Sequence, residues 1–195
     1  MNLPNQLTLA RIVLAFVFVG FFLIDALWAK TLSLAVFLAA ALTDLYDGYL
    51  ARRTGVVTGF GKFMDPLADK VLVSSALISF VALGYIKAWI VVVIIFREFM
   101  VTGLRLLAAY KGIVIVPSFW AQIKTVLEMS TIAAILVFTN LKAWLVPNGH
   151  DWAIFYSPWT LKSFNGLIFL AMVLSVGTGI DYLIKNAPLL RGVLK

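Results

Sequence analysis

Six stretches of mostly apolar residues, each near the ~20 residues that a helix needs to cross a bilayer, occupy most of this chain. They fall at about 9–29, 31–53, 65–84, 87–109, 119–139 and 164–184. In hydrocarbon every backbone N–H and C=O must be satisfied within the protein, and a helix does this within one segment. Hydrophobic residues make up 63% of the 195-residue chain, whereas a soluble domain is about half apolar. The expected fold is therefore all-α: a polytopic membrane protein, a bundle of six transmembrane helices behind a short N-terminal cytoplasmic segment. It leaves no room for a separate soluble domain, so residues 1–195 are read as one membrane domain. The first stretch carries Arg11, exceeds a signal-peptide core and has no small-x-small site after it, and is read as a retained span.

The punctuation between the stretches is partly local chemistry. Asn5 and Thr8 can cap the first helix, and Asp25 interrupts its far end. Asp65 as a cap with Pro66 at the first helical position starts the third, after a Gly-rich connection at 54–63. That connection is short, so the second and third helices are expected as antiparallel neighbours. The third ends near Gly84, Pro117 precedes the fifth, and 140–162 is the longest loop. Arg52, Arg53, Lys62, Lys111, Lys185, Arg191 and Lys195 fall on one side and Lys30, Lys87, Lys142 and Lys162 on the other. Seven against four places both termini in the cytoplasm of a multi-pass cell-membrane protein. The formal charge of +7 follows from such loops, and also favours anionic lipid or a phosphate-bearing substrate. Trp28, Trp89, Trp144, Trp152 and Trp159 fall near the outer face as an aromatic belt. His150, the only histidine, reads as a surface residue. Cysteine is absent, which excludes disulfides and thiolate ligands. Membrane lipids are the expected surroundings, and no nucleic-acid partner is expected.

Against this apolar background stand four aspartates at the cytoplasmic ends of the second and third spans. A charge in hydrocarbon costs ~3 kcal/mol on insertion scales, so intramembrane acids are functional candidates. Asp44 and Asp47, with Gly48, Ala51 and Arg52 at i+4, i+7 and i+8, share one helical face; Asp65 and Asp69 share another at i,i+4. Four converging carboxylates repel unless cations neutralise them. All-oxygen donors suit two hard divalent ions, Mg²⁺ or Mn²⁺, rather than Zn²⁺. Gly48, Ala51 and Gly61 lack bulk, which lets a flat or phosphate-bearing ligand approach the backbone. The plain alternatives are that the acids pair with Arg52, Arg53, Lys62 and Lys70, and that the small residues are helix-packing contacts.

The pattern Asp-x2-Asp-Gly-x2-Ala-Arg-x8-Gly-x3-Asp-x3-Asp is filled by Asp44, Asp47, Gly48, Ala51, Arg52, Gly61, Asp65 and Asp69 with no departure. It resembles the signature of the CDP-alcohol phosphatidyltransferase family. The resemblance implies transfer of a phosphatidyl group from CDP-diacylglycerol to an alcohol with release of CMP. It implies that Asp44, Asp47 and Asp65 ligate two metals, while Asp69 ligates one and acts as general base. It places Gly48, Arg52 and Thr58 on the CDP moiety, with Asn5 and Thr8 as further contacts and Ala51 and Gly61 in the same cradle. A homodimer is also implied by resemblance. The chemistry agrees: attack on a diphosphate needs charge neutralisation, and a positioned carboxylate must take the alcohol proton.

The acceptor depends on other residues. The fourth span carries Arg97, Glu98 and Arg105, and the fifth carries Lys124 and Glu128. One Glu beside two Arg leaves net positive charge for an anion; ordinary ion pairs, including Lys124–Glu128 at i,i+4, are the alternative. The run at 97–106, the opening at 2–11 and Gln-Ile-Lys-Thr at 122–125 resemble the branch of the family that uses sn-glycerol 3-phosphate and makes phosphatidylglycerophosphate. Its phosphate would sit among Arg97, Arg105 and Lys124, with Arg11 helping. Inositol phosphate, serine and phosphatidylglycerol stay open as acceptors. A divalent-cation carrier or a non-catalytic lipid-binding protein stays open as another class.

Overall fold

The apolar stretches fold as six α-helices: α1 (Leu3–Phe22), α2 (Leu27–Thr54), α3 (Gly59–Ala82), α4 (Ala88–Tyr110), α5 (Phe119–Leu145) and α6 (Pro158–Leu194). This computed structural model describes residues 3–54, 59–110, 112 and 118–194; within these, the side chains of 3–5, 44–54, 59, 60, 62, 63, 186 and 188–194 lie outside the description. No strand occurs among the described residues. The all-helical expectation therefore stands. Two helical segments, Phe119–Asn148 and Pro158–Lys185, are long and apolar enough to cross a membrane; α1 and α2 contain shorter apolar stretches, Gln6–Phe22 and Leu27–Thr43.

Several boundaries differ from the sequence reading. The first helix ends at Phe22 rather than near residue 29, because the side chain of Lys30 turns back to cap it. Lys30 Nζ donates to the Phe22 carbonyl at 2.6 Å and lies 4.7 Å from the Phe22 ring centroid, which satisfies an end carbonyl that no helical N–H reaches. The third helix starts at Gly59, not at Asp65-Pro66, so Pro66 lies inside it. A proline there removes one i→i−4 bond, a cost that the contacts of α3 outweigh. The expected long loop contracts: α5 runs on to Leu145, two short 3₁₀ turns follow at Val146–Asn148 and Ala153–Phe155, and α6 begins at Pro158. Helix α6 continues through the expected basic tail, where Lys185 Nζ pairs with Asp181 Oδ2 at 2.9 Å on an exposed face.

Gly84 closes α3. Its φ of 76° is left-handed, Tyr85 N–H donates to Phe80 O at 2.9 Å, and Gly84 N–H donates to Val81 O at 3.0 Å, a Schellman ending. Asn165 then ties the turn to α6: its Oδ1 accepts from Lys87 N–H at 2.9 Å and its Nδ2 donates to Tyr85 O at 3.0 Å. Ser118 caps α5, its hydroxyl accepting from Ala121 N–H at 3.3 Å.

Helix α1 packs against both α2 and α3, α4 against α3 and α6, and α5 against α2 and α6. Among the described residues α1 packs on both α2 and α3, which touch each other little there; the expected meeting of α2 and α3 around 44–63 falls largely outside the described side chains. The core is aromatic at this junction: Phe18–Phe22, Phe18–Phe37 and Phe22–Phe80 have ring centroids 5.3–5.5 Å apart. The surface is apolar too, with Phe16, Phe96 and Val126 about two-thirds exposed, as expected of lipid-facing positions. The five belt tryptophans lie at the starts of α2, α4 and α6, the end of α5 and the turn after it, and all are exposed. His150 is exposed in the same turn, bonded through Nδ1 to Asn148 O at 3.0 Å. The starts of α1, α3 and α5 and the ends of α2, α4 and α6 form the opposite end.

Candidate active site

At that opposite end Gly61, Asp65 and Asp69 follow one another at i,i+4 spacing on α3 and share a face. Gly61 is buried and the two aspartates are half-buried. Thr8, fully buried on α1, donates its hydroxyl to Asp65 Oδ1. A residue assigned from sequence to the nucleotide thus also fixes a candidate metal ligand. Arg11 lies three residues further along α1 and is fully buried.

Helix α3 also supplies a residue that sequence reasoning treated only as a counter-ion. Lys70 Nζ lies 3.5 Å from Asp69 Oδ2 and 2.5 Å from Glu98 Oε2, joining α3 to α4. Glu98 Oε1 accepts from Arg97 Nη1 at 3.1 Å and from Lys124 Nζ on α5, and Lys124 pairs in turn with Glu128. Arg97 Nη2 donates to Thr178 Oγ1 on α6 at 2.7 Å. The Arg105 guanidinium sits 5.6 Å from the Tyr182 ring centroid. A cavity of about 370 Å³ opens among these elements, lined by Lys70, Arg97, Glu98, Arg105, Gln122 and Thr125 together with apolar neighbours. The Nε atoms of Arg97 and Arg105 are buried without a hydrogen-bond partner among the described residues.

The structure thus brings Arg97 and Arg105 to one cavity and adds Lys70. It places Lys124 between two carboxylates behind the cavity wall. Arg11 is not on that wall among the described residues. The internal pair of Glu98 with Arg97 is present, and it extends to two lysines. Asn5, Asp44, Asp47, Gly48, Ala51 and Arg52 lie on described helices, but their side chains fall outside the described residues, and Thr58 falls outside altogether. Lys70 escaped the periodicity argument because it follows Asp69 directly, about 100° around the helix. Thr178 was not legible, since nothing local links it to Arg97.

The donor set can be tested against a divalent ion. Asp65 and Asp69 offer carboxylate oxygens one helical turn apart, both accessible, with Asp65 oriented by Thr8; this fits one side of a hard-cation site. Among the described residues no third carboxylate or imidazole joins them, and Asp44 and Asp47 are the candidates for the other side.

The family model described as CDP-alcohol phosphatidyltransferase matches residues 1–177. A CDP-diacylglycerol–glycerol-3-phosphate 3-phosphatidyltransferase of Bacillus subtilis is 38% identical over 205 aligned positions, covering 97% of each chain. The protein of that name from Rickettsia felis is 37% identical over 136 positions, covering 70% of this chain and 75% of its own. That of Mycoplasma pneumoniae is 34% identical over 189 positions, covering 86% and 83%.

Proposed function

The chain belongs to the CDP-alcohol phosphatidyltransferase family, and we propose that it transfers the phosphatidyl group of CDP-diacylglycerol to sn-glycerol 3-phosphate, forming phosphatidylglycerophosphate and CMP. The observation that carries the acceptor assignment is the likeness to relatives named for glycerol 3-phosphate, 34–38% identical over 70–97% of this chain, and Lys70, which spans from Asp69 to the cationic cavity, agrees with it. A phosphate held by Arg97 and Arg105 would lie in the cavity whose wall includes Lys70, the residue that also contacts Asp69. Arginine suits this role because its planar fork binds phosphate oxygens in pairs.

In the reaction the primary hydroxyl of the acceptor attacks the phosphorus that carries diacylglycerol. The new bond is P–O(glycerol); the bond broken is P–O to the CMP phosphate, and CMP leaves. Asp69 takes the hydroxyl proton. Thr8 holds Asp65, while Gly48, Ala51, Arg52, Thr58, Gly61 and Asn5 form the nucleotide cradle. Two divalent ions, Mg²⁺ or Mn²⁺, held by Asp44, Asp47, Asp65 and Asp69 would neutralise charge on the diphosphate. Lys124, through Glu98, and Arg11 complete the positive surroundings of the acceptor.

The same reading extends to the setting. Six spans form one membrane domain over 1–195 in the cell membrane, with both termini and the site on the cytoplasmic side, and the protein works as a homodimer. The apolar exterior supports the membrane setting, and five of the six tryptophans, all but Trp120 at the start of α5, lie at the end away from the site. The test is CMP release by protein purified in detergent, with CDP-diacylglycerol, Mg²⁺ or Mn²⁺, and glycerol 3-phosphate, inositol phosphate, serine or phosphatidylglycerol. Metal-dependent release with glycerol 3-phosphate alone is expected; release with none of the four refutes the enzyme reading.

A further inference from the structure

Glu98 is the shared partner of cations from three helices. It is 8% exposed, and it holds Lys70 of α3, its neighbour Arg97 on α4 and Lys124 of α5. If its task were only to cancel charge, one cation would do, because each further buried ion adds a desolvation cost. Counting Asp69, Glu98 and Glu128 against Lys70, Arg97, Arg105 and Lys124, four cations meet three carboxylates, so the cluster keeps positive charge at the cavity.

The geometry says where that charge is directed. Arg97 is clamped on both sides, Nη1 on Glu98 and Nη2 on Thr178. Its shaft lies over Gly179, where an added Cβ would come within 3.0 Å of Nε and 3.2 Å of Cγ, so α6 is cut away to seat it. Lys70 is held between Glu98 and Asp69. We infer that Glu98 is a positioning residue for the acceptor: it fixes Lys70 and Arg97 on the cavity wall and, through Lys70, sets the distance between the acceptor's phosphate and the carboxylate that takes its proton. This inference rests on the glycerol 3-phosphate reading above. It makes Lys70 a further contact of the acceptor phosphate, and Thr178 and Gly179 the α6 seat of Arg97.

The test is steady-state kinetics of Glu98→Gln in the full-length, detergent-purified protein. The substitution keeps size and removes the charge. The KM for glycerol 3-phosphate should rise about tenfold or more, the equivalent of one charge-assisted hydrogen bond. The KM for CDP-diacylglycerol should stay within about twofold, and inorganic phosphate should weaken as a competitor of glycerol 3-phosphate in parallel. Lys70→Gln leaves Glu98 paired with Arg97 and Lys124, and serves if Glu98→Gln does not fold; it should shift the same KM in the same direction. The inference is overturned if both KM values rise together, as a purely structural role requires, or if the acceptor KM is unchanged in the variant that folds. A wild type that releases CMP only with a different acceptor overturns the glycerol 3-phosphate reading, and this inference with it.

Discussion

Replacing Thr8 by valine removes a hydrogen bond that reaches from α1 to orient an aspartate of the motif. Valine has nearly the shape of threonine, and Thr8 is fully buried, so packing is preserved while the hydroxyl that donates to Asp65 Oδ1 is lost. A hydrogen bond to a charged group contributes about 1.5–3 kcal/mol, and outer partners of metal ligands typically change metal affinity or activity about 10- to 100-fold. The half-saturating Mg²⁺ or Mn²⁺ concentration for CMP release should therefore rise by about that factor. Thr8→Ser, which keeps the donor, should stay near wild type. The assay is a metal titration at saturating CDP-diacylglycerol, which separates this effect from a direct contact of Thr8 with the nucleotide. A metal requirement unchanged within about twofold in Thr8→Val would refute the argument that this contact orients a ligand.

Three other outcomes follow. Asp69→Asn should lower turnover by about 10²–10⁴-fold, the usual contribution of a positioned base, while CDP-diacylglycerol still binds by equilibrium dialysis; turnover at the wild-type rate would remove Asp69 as base. Because the chain has no cysteine, single substitutions report topology cleanly: in intact cells His150→Cys should react with an impermeant maleimide and Lys185→Cys should not. Gly84→Ala meets no neighbouring atom within 4 Å, so only its left-handed backbone is strained; about 1–2 kcal/mol should be lost in thermal unfolding, with activity retained.

Six helices in order were legible because hydrocarbon length and backbone satisfaction leave few options. Their ends were less so. Asp65-Pro66 is a good local start signal, yet α3 begins at Gly59, and its packing on α1 offsets the lost hydrogen bond. The end of α1 depends on the side chain of Lys30 reaching back, which no local pattern announces. Within the site, the shared face of Asp65 and Asp69 followed from a period of 3.6 residues. The partners that give those residues a setting come from other helices: Thr8 for Asp65, Thr178 for Arg97, and Glu98 for Lys70. Such pairs are fixed by tertiary packing, and one sequence carries no signal for them. Arg97 and Lys124 show the consequence. The sequence left Lys124 open between the acceptor phosphate and an ion pair with Glu128; in the structure Lys124 is bound between Glu98 and Glu128, and Arg97 lies on the cavity wall.

The most direct measurement offers the purified protein CDP-diacylglycerol, a divalent cation and equal concentrations of glycerol 3-phosphate, serine and inositol phosphate in one reaction, and identifies the lipid product by mass. The account predicts phosphatidylglycerophosphate as the product, formed with one CMP per lipid and abolished by chelator. A different phospholipid as the main product, or phosphatidylglycerophosphate formed at the same rate by Asp69→Asn, would contradict it.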